Sequence, residues 1–479
     1  MGKLRSGIRK LFFRLGVPKG RQNVAWRRKP QDSVPLPMGS PEGAAQPTLL
    51  GRLPVIVRDA VTRTVSPLRG WILSPIHNLG LTPQATSFRP FGAGYVPTEF
   101  PRFPRQSRDV HWVAGILIAA LCITCGVSSV SASEKGQWTH WRGNAQQTGV
   151  AQGTLPDKLR PLWTFQIPEG IESSAAIAEG TVFIGGLDGF LYALSLESGQ
   201  VKWKYKAEEE IKSSPSYRQG VIYFGDEMGT FHALDAATGK ARWTFKTEGG
   251  ITSSANFAGS RVLFGSYDNF LYCLNIADGS LAWKLETGGY VHATPGIYEG
   301  FVTVTGCDAT LRIIRISDGE QAGQVDLGGY VASSPAILGD RAYFGSFENE
   351  VLCVDLKQQH IQWAYQNPKR EFPYYSSPAV NDQAVVIGGR DKLLHALNPR
   401  TGEELWNFPT KARVESSPVI VGDRVFFGAQ SGEVFAIDMK TGKPVWEFDS
   451  GSGFVTSPAI ADGKLVIGSL DGDLFCFGE

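Results

Sequence analysis

The sequence predicts an all-β fold: an eight-bladed β-propeller of four-stranded antiparallel blades, closed by residues 160–168 pairing with the C-terminal blade. Three observations predict it. Tryptophan returns at a near-constant stride, at Trp163, Trp203, Trp243 and Trp283, then after a gap at Gly323, at Trp363, Trp406 and Trp446. A Ser/Thr-rich pair followed by Ala or Pro recurs eight times, from Ser173-Ser174-Ala175 to Thr456-Ser457-Pro458. Between these marks each unit spells four short runs of strand-forming residues broken by turn residues. A constant period is the mark of a repeat architecture, because one unit cannot bury its own apolar faces and must stack on copies of itself.

Each element of the unit beginning at 171 has a reason. The first run, IESSAAI, carries the Ser/Thr pair, and small residues suit the crowded centre where eight strands converge. Several of its equivalents contain proline (Pro215, Pro335, Pro378), which lacks the N–H that a central strand must donate, so this run belongs at an inner edge. The next two runs, TVFIGG and FLYALS, meet at Asp188-Gly189, repeated as Met228-Gly229, Asp268-Asn269 and Asp471-Gly472; such pairs tolerate the positive φ of a tight hairpin. A Thr-Gly turn leads to the last run at Thr238-Gly239, Thr401-Gly402 and Thr441-Gly442. That last run carries the tryptophan, a wedge between blades whose indole N–H can reach a carbonyl. Truncating such a side chain costs about 3 kcal/mol or more, so the seven tryptophans are assigned a structural docking role. The third run holds a small residue at one slot, Ala193, Ala233, Ala396 and Ala436, or Cys273, Cys353 and Cys476. These thiols therefore read as free core residues. The C-terminal unit ends at its third run, LFCFGE, and the missing fourth is LRPLWTFQIP, so the two ends of the repeat region zip together and leave no open edge to the ring.

The rest of the chain is of another kind. Residues 1–110 hold 18 Lys+Arg against 5 Asp+Glu and half of the 28 prolines, whereas the remainder is acidic by 12 charges. Residues 1–109 read either as a disordered basic tail or as a gene-model artefact upstream of the true start. With no aromatic interleaving and an export signal behind it, the basic stretch gives no reason to expect nucleic-acid binding. Val113 to Val127 is an apolar run that ends in Val130-Ser131-Ala132, small residues at the positions a signal peptidase reads. Residues 110–132 therefore read as a secretory signal cleaved after Ala132, with an uncleaved anchor over 113–130 as the alternative. Either way the acidic part is exported, to the periplasm or cell envelope, and would touch a membrane only through that anchor. Leu121 and Thr124 stand before Cys122 and Cys125 where a lipidation signal wants Gly or Ala. Residues 133–159 form a lead-in, and 160–479 the propeller, expected to be monomeric.

The pattern A-x-D-x-x-T-G-x-x-x-W at this spacing resembles the tryptophan-docking motif of the pyrroloquinoline-quinone (PQQ)-like repeat propellers, over 160–479. The stretch WTHWRGNAQQTG at 138–149 resembles the lead-in of exported members. Two branches of the family matter. The quinoprotein alcohol dehydrogenases imply PQQ with Ca²⁺ above the channel and an adjacent Cys-Cys pair, and no such dipeptide occurs here. BamB-like outer-membrane assembly scaffolds imply a bare ring of short blades, as this sequence has. The expectation is a non-catalytic scaffold without cofactor, binding an envelope protein or an extended peptide; the alternative is a PQQ-dependent oxidoreductase or a small-ligand binder.

The residue before each Ser/Thr pair rings one mouth of the channel: Glu172, Lys212, Thr252, His292, Ala332, Tyr375, Glu415 and Val455. No nucleophile–base pair can be assigned among them. Aromatic and charged residues gather on blades four to six, beside the insertion QNPKREFPYY at 366–375 and the unit that lacks its tryptophan. The candidate partner- or ligand-binding residues are Tyr290, His292, Tyr330, Tyr374, Tyr375, Arg413 and Glu415. No metal site is expected, and His232 and His395, flanked by core positions, read as packed.

Overall fold

The computed structural model describes residues 136–479 except Ala332. The expectations for 1–109 and 110–132 concern residues outside that range. Eight four-stranded antiparallel sheets follow one another in chain order. The first blade runs Ala176–Ala178, Thr181–Gly185, Phe190–Ser195 and Val201–Lys206. The eighth is completed from the other end of the repeat, where Arg160–Gln166 pairs with Asp473–Gly478 in the register Trp163↔Cys476. Among the described residues no helix is long and apolar enough to cross a membrane.

The outer strands hold the tryptophans as expected, and the structure adds a device. In all eight blades a register shift falls between the third and outer strands at or beside the tryptophan slot. A bulge bends the strand and re-aims a side chain. Here it turns each indole toward the following blade, where Nε1 donates to a backbone carbonyl: Trp163 to Leu196, Trp203 to Ala236, Trp243 to Ile276, Trp283 to Ile316, Trp363 to Pro399 and Trp406 to Met439, at 2.8–3.3 Å. Trp446 has no such turn ahead of it, since the eighth blade joins the two ends, and donates to Leu159 instead. The cysteines at 273, 353 and 476 are buried free thiols opposite an indole, and Cys307 is free and half-buried.

The Ser/Thr pair corrects one expectation. It precedes the innermost strand rather than lying in it; the second blade's strand is Ser216–Arg218, after Pro215. The two residues have separate tasks. Ser173 staples its own blade, donating from Oγ to the Gly185 carbonyl (2.8 Å) and accepting from the Gly185 N–H (3.0 Å). Its neighbour joins the blades. Each second-position N–H donates to the hydroxyl of the next blade, from Ser174 to Ser214 (2.9 Å), then through Ser254, Thr294, Ser334, Ser377 and Ser417 to Ser457. Ser457 returns to Ser174 at 2.8 Å. These eight hydrogen bonds close a girdle around the axis. Each is worth about 1 kcal/mol net, and an orphaned buried N–H would cost more than that.

The lead-in is part of the ring. Trp138, 3% exposed, exchanges both backbone hydrogen bonds with Ile177. The carbonyls of Thr139, Ala145, Gln146, Thr148 and Gly149 then accept the N–H groups of Tyr217, Ile297, Ile337, Val380 and Ile420, one innermost strand after another. Asn256 ties the third blade to Ala145. The buried Arg142 guanidinium donates to the carbonyls of Pro378, Ser417 and Pro418, and burial pushes it down to about 9.

Candidate functional site at the channel mouth

The hairpins between second and third strands and the loops entering each blade share one face, and together they surround a cavity of about 450 Å³ on the axis. The girdle hydroxyls form its lower wall. Trp141, whose Nε1 donates to Ser334 Oγ at 3.3 Å, contributes the floor. Above the girdle stand Glu172, Lys212, Thr252, His292, Tyr375, Glu415 and Val455, at the ring positions read from the sequence.

Three of the candidate residues line the cavity. His292 shares hydrogen bonds at Nδ1 with the Tyr267 hydroxyl (2.7 Å) and Thr252 (3.2 Å), and burial lowers its pKa, so its ring is neutral near pH 7. The ring of Tyr375 lies under the Arg390 guanidinium at 3.6 Å and against Phe347. Glu415 accepts from Arg390 Nε (2.6 Å) and Gln430 Nε2 (2.7 Å). Arg413 is half exposed and comes within 3.7 Å of Glu415. Tyr290 and Tyr330 lie on the entering loops two residues before the ring, 54% and 57% exposed; Tyr290 stacks on Tyr267.

Tyr374 departs from the expectation. It is 1% exposed, packed with Val385 and Ile387 in the core between blades five and six. The same slot is Ile171, Ile211, Val291, Val414 and Phe454 in other units, all buried. It is a core position, out of a partner's reach.

The sequence reading missed Trp141, Glu227, Tyr267 and Arg390. The last three are second residues of hairpins already placed on the mouth face, so listing that position would have found them. Trp141 had no repeat equivalent to give it away.

The hydroxyls of Tyr267 and Thr252 meet His292 Nδ1, but among the described residues no carboxylate hydrogen-bonds that imidazole, and each girdle hydroxyl accepts a backbone N–H. Nor does the donor set fit a Ca²⁺-bound quinone. Among the described residues no group of three His, Cys, Asp or Glu side chains could hold a metal ion, and the mouth carboxylates are already met by cations, Glu210 and Glu227 by Lys212 and Glu415 by Arg390.

The family model described as outer membrane protein assembly factor BamB matches residues 141–255, 227–326 and 390–477. The chain belongs to that family. No curated protein matches it. Among solved structures, BamB from Moraxella catarrhalis is 19% identical with a TM-score of 0.59, covering 67% of this chain and 100% of that one. Quinohemoprotein alcohol dehydrogenase from Comamonas testosteroni is 13% identical with a TM-score of 0.62, over 76% of this chain and 85% of that one. The computationally designed Ika8 protein is 17% identical with a TM-score of 0.60, over 67% and 100%. Identities this low speak for the fold alone: a natural scaffold, an enzyme and a design share the ring.

Proposed function

We propose that this chain is an exported, non-catalytic scaffold of the cell envelope that holds a protein partner at the channel mouth. Membership of the BamB family supports the role, and the signal-like run before 133 supports the location. One observation carries the choice of surface. Tyr290, Tyr330 and Phe372, on three successive mouth loops, are 54%, 57% and 48% exposed. Large aromatics held out on a rigid frame are what partner-binding surfaces are made of. Replacing Tyr290 and Tyr330 together by Ala should abolish capture of the envelope partner and leave the melting temperature unchanged, because neither ring is buried. Undiminished capture would remove the mouth from consideration.

The axial cavity could also take a small ligand, which keeps open a second reading, a PQQ-dependent oxidoreductase, against the poor fit of its carboxylates to a Ca²⁺-bound quinone. Adding PQQ with Ca²⁺ to the purified chain and following quinone absorbance and dye reduction separates the two. Retained cofactor with turnover would replace the scaffold reading.

A further inference from the structure

We infer that the mouth is electrically polarised and takes an extended zwitterionic peptide segment, its basic end on blades one and two and its acidic end on blades six and seven. This rests on the reading of the mouth as a partner-binding surface.

On the first side, one ammonium serves three carboxylates. Lys212 Nζ lies 3.0 Å from Glu210 and 3.7 Å from Glu227, and Glu172 adds its field from the neighbouring ring position. Glu227 Oε1 is shut off from solvent with no hydrogen-bond partner. Burial, and then Glu210 and Glu172, push the Glu227 carboxyl up against the pull of Lys212. With three carboxylates to one ammonium this side is short of positive charge, and an incoming ammonium or guanidinium at the half-exposed Glu210 and the exposed Glu172 relieves it.

On the other side the balance is reversed. Glu415 is the one carboxylate between two guanidiniums, Arg390 at 2.6 Å and Arg413 at 3.7 Å, and Gln430 takes its second oxygen. Arg413, 49% exposed, is left with donors to spare. In a ring of eight, blade two faces blade six across the channel, so the two charge imbalances oppose each other over the cavity. Between them, on blades three and four, the Tyr267–Tyr290 stack offers a flat apolar face. A chain with opposite charges on either side of an aromatic or aliphatic residue matches all three parts. A uniformly charged chain matches only one end and is repelled by the other.

Fluorescence anisotropy on the purified full chain tests this. The probe is a labelled, end-blocked octapeptide with two lysines at one end, a central tyrosine and two glutamates at the other. All-lysine and all-glutamate counterparts serve as competitors. The mixed peptide should bind about tenfold tighter than either, as expected for a few partly screened charge pairs. Glu172→Gln with Glu227→Gln should remove that preference over the all-glutamate peptide, and Arg413→Gln should remove it over the all-lysine peptide; the two Glu exchanges are isosteric, and Arg413 is half exposed, so neither variant should unfold the ring. Equal binding of the all-lysine peptide, indifference to both variants, or no binding of any probe overturns the inference. If the peptide results fail while the Tyr290/Tyr330 variant still loses partner capture, the scaffold reading stands and only the polarity falls.

Discussion

At Gly323 three residues change together. Where the other outer strands carry an indole this one has glycine; the residue opposite it, elsewhere Ala or Cys, is Ile313; and in the next blade the turn residue that is otherwise glycine is Gln359. The geometry explains the linkage. In a regular pair the indole lies on the turn glycine, so that a Cβ on Gly239 would stand 2.7 Å from Trp203. Without the indole there is room for a side chain, and a Cβ on Gly323 would meet Gln359 Nε2 at 2.4 Å. Gln359 holds φ at +56°, a strained value for a residue with a Cβ. The missing tryptophan is a repacked joint, and the sequence reading treated it only as an irregularity because the compensating residue lies in the following blade. Gly323→Trp alone should destabilise the ring by about 1–3 kcal/mol through overpacking. Gln359→Gly should recover much of that loss in the double variant. Chemical denaturation of the four-member cycle checks it, and strict additivity would show that the two sites do not touch.

Among the elements, the insertion at 366–375 was legible as an irregularity, but its anchoring was not. Asn367 donates to Asp391 Oδ2 at 2.7 Å, and Arg370 donates to the Asp391 carbonyl. Asp391 in turn meets His395 Nε2 at 2.9 Å, while Nδ1 meets Glu404 at 2.7 Å. His395 was read as packed, and it is fully buried, but between two carboxylates. Burial alone would lower its pKa; the hydrogen bonds of Asp391 and Glu404 outweigh that and hold it above 6.5. The His395 hydrogen bond in turn brings Glu404 from 4.5 down to about 2. The raised His395 contributes stability that is full below 6.5 and lost as pH climbs through its folded value. The depressed Glu404 contributes stability that is present above 4.5 and lost as pH falls toward 2. His395→Gln should therefore cost most between the two, about 3 kcal/mol or more near pH 6. The gap to the parent chain should narrow by pH 9. Urea midpoints at the two pH values decide it, and a gap that widens with pH would show that the buried imidazole is neutral. The lead-in was the least legible element. No other unit repeats it, so nothing in the period could show that its carbonyls serve one innermost strand after another.

For the molecule as a whole, the stride of the tryptophans and the count of Ser/Thr pairs were enough to read eight blades and their closure by 160–168. Both depend on local, repeated residue types. The mouth was half legible for the same reason: ring positions such as Glu172, Tyr375 and Glu415 follow the period, whereas Trp141 and the girdle hydrogen bonds depend on how the ring closes in space. The closed ring gives two unlike faces. One is bound over by the lead-in, with Arg142 donating to three carbonyls. The other opens to a cavity surrounded by opposed charges and exposed aromatics. Binding at that mouth is the centre of the account, and site-directed photocrosslinking in intact cells tests it most directly. A photoreactive amino acid replaces either Tyr330 at the mouth or the exposed Lys440 on the Thr-Gly face. The account predicts a discrete crosslink to one envelope protein from position 330 and none from 440. Crosslinks to that protein from 440, with silence at 330, would contradict it.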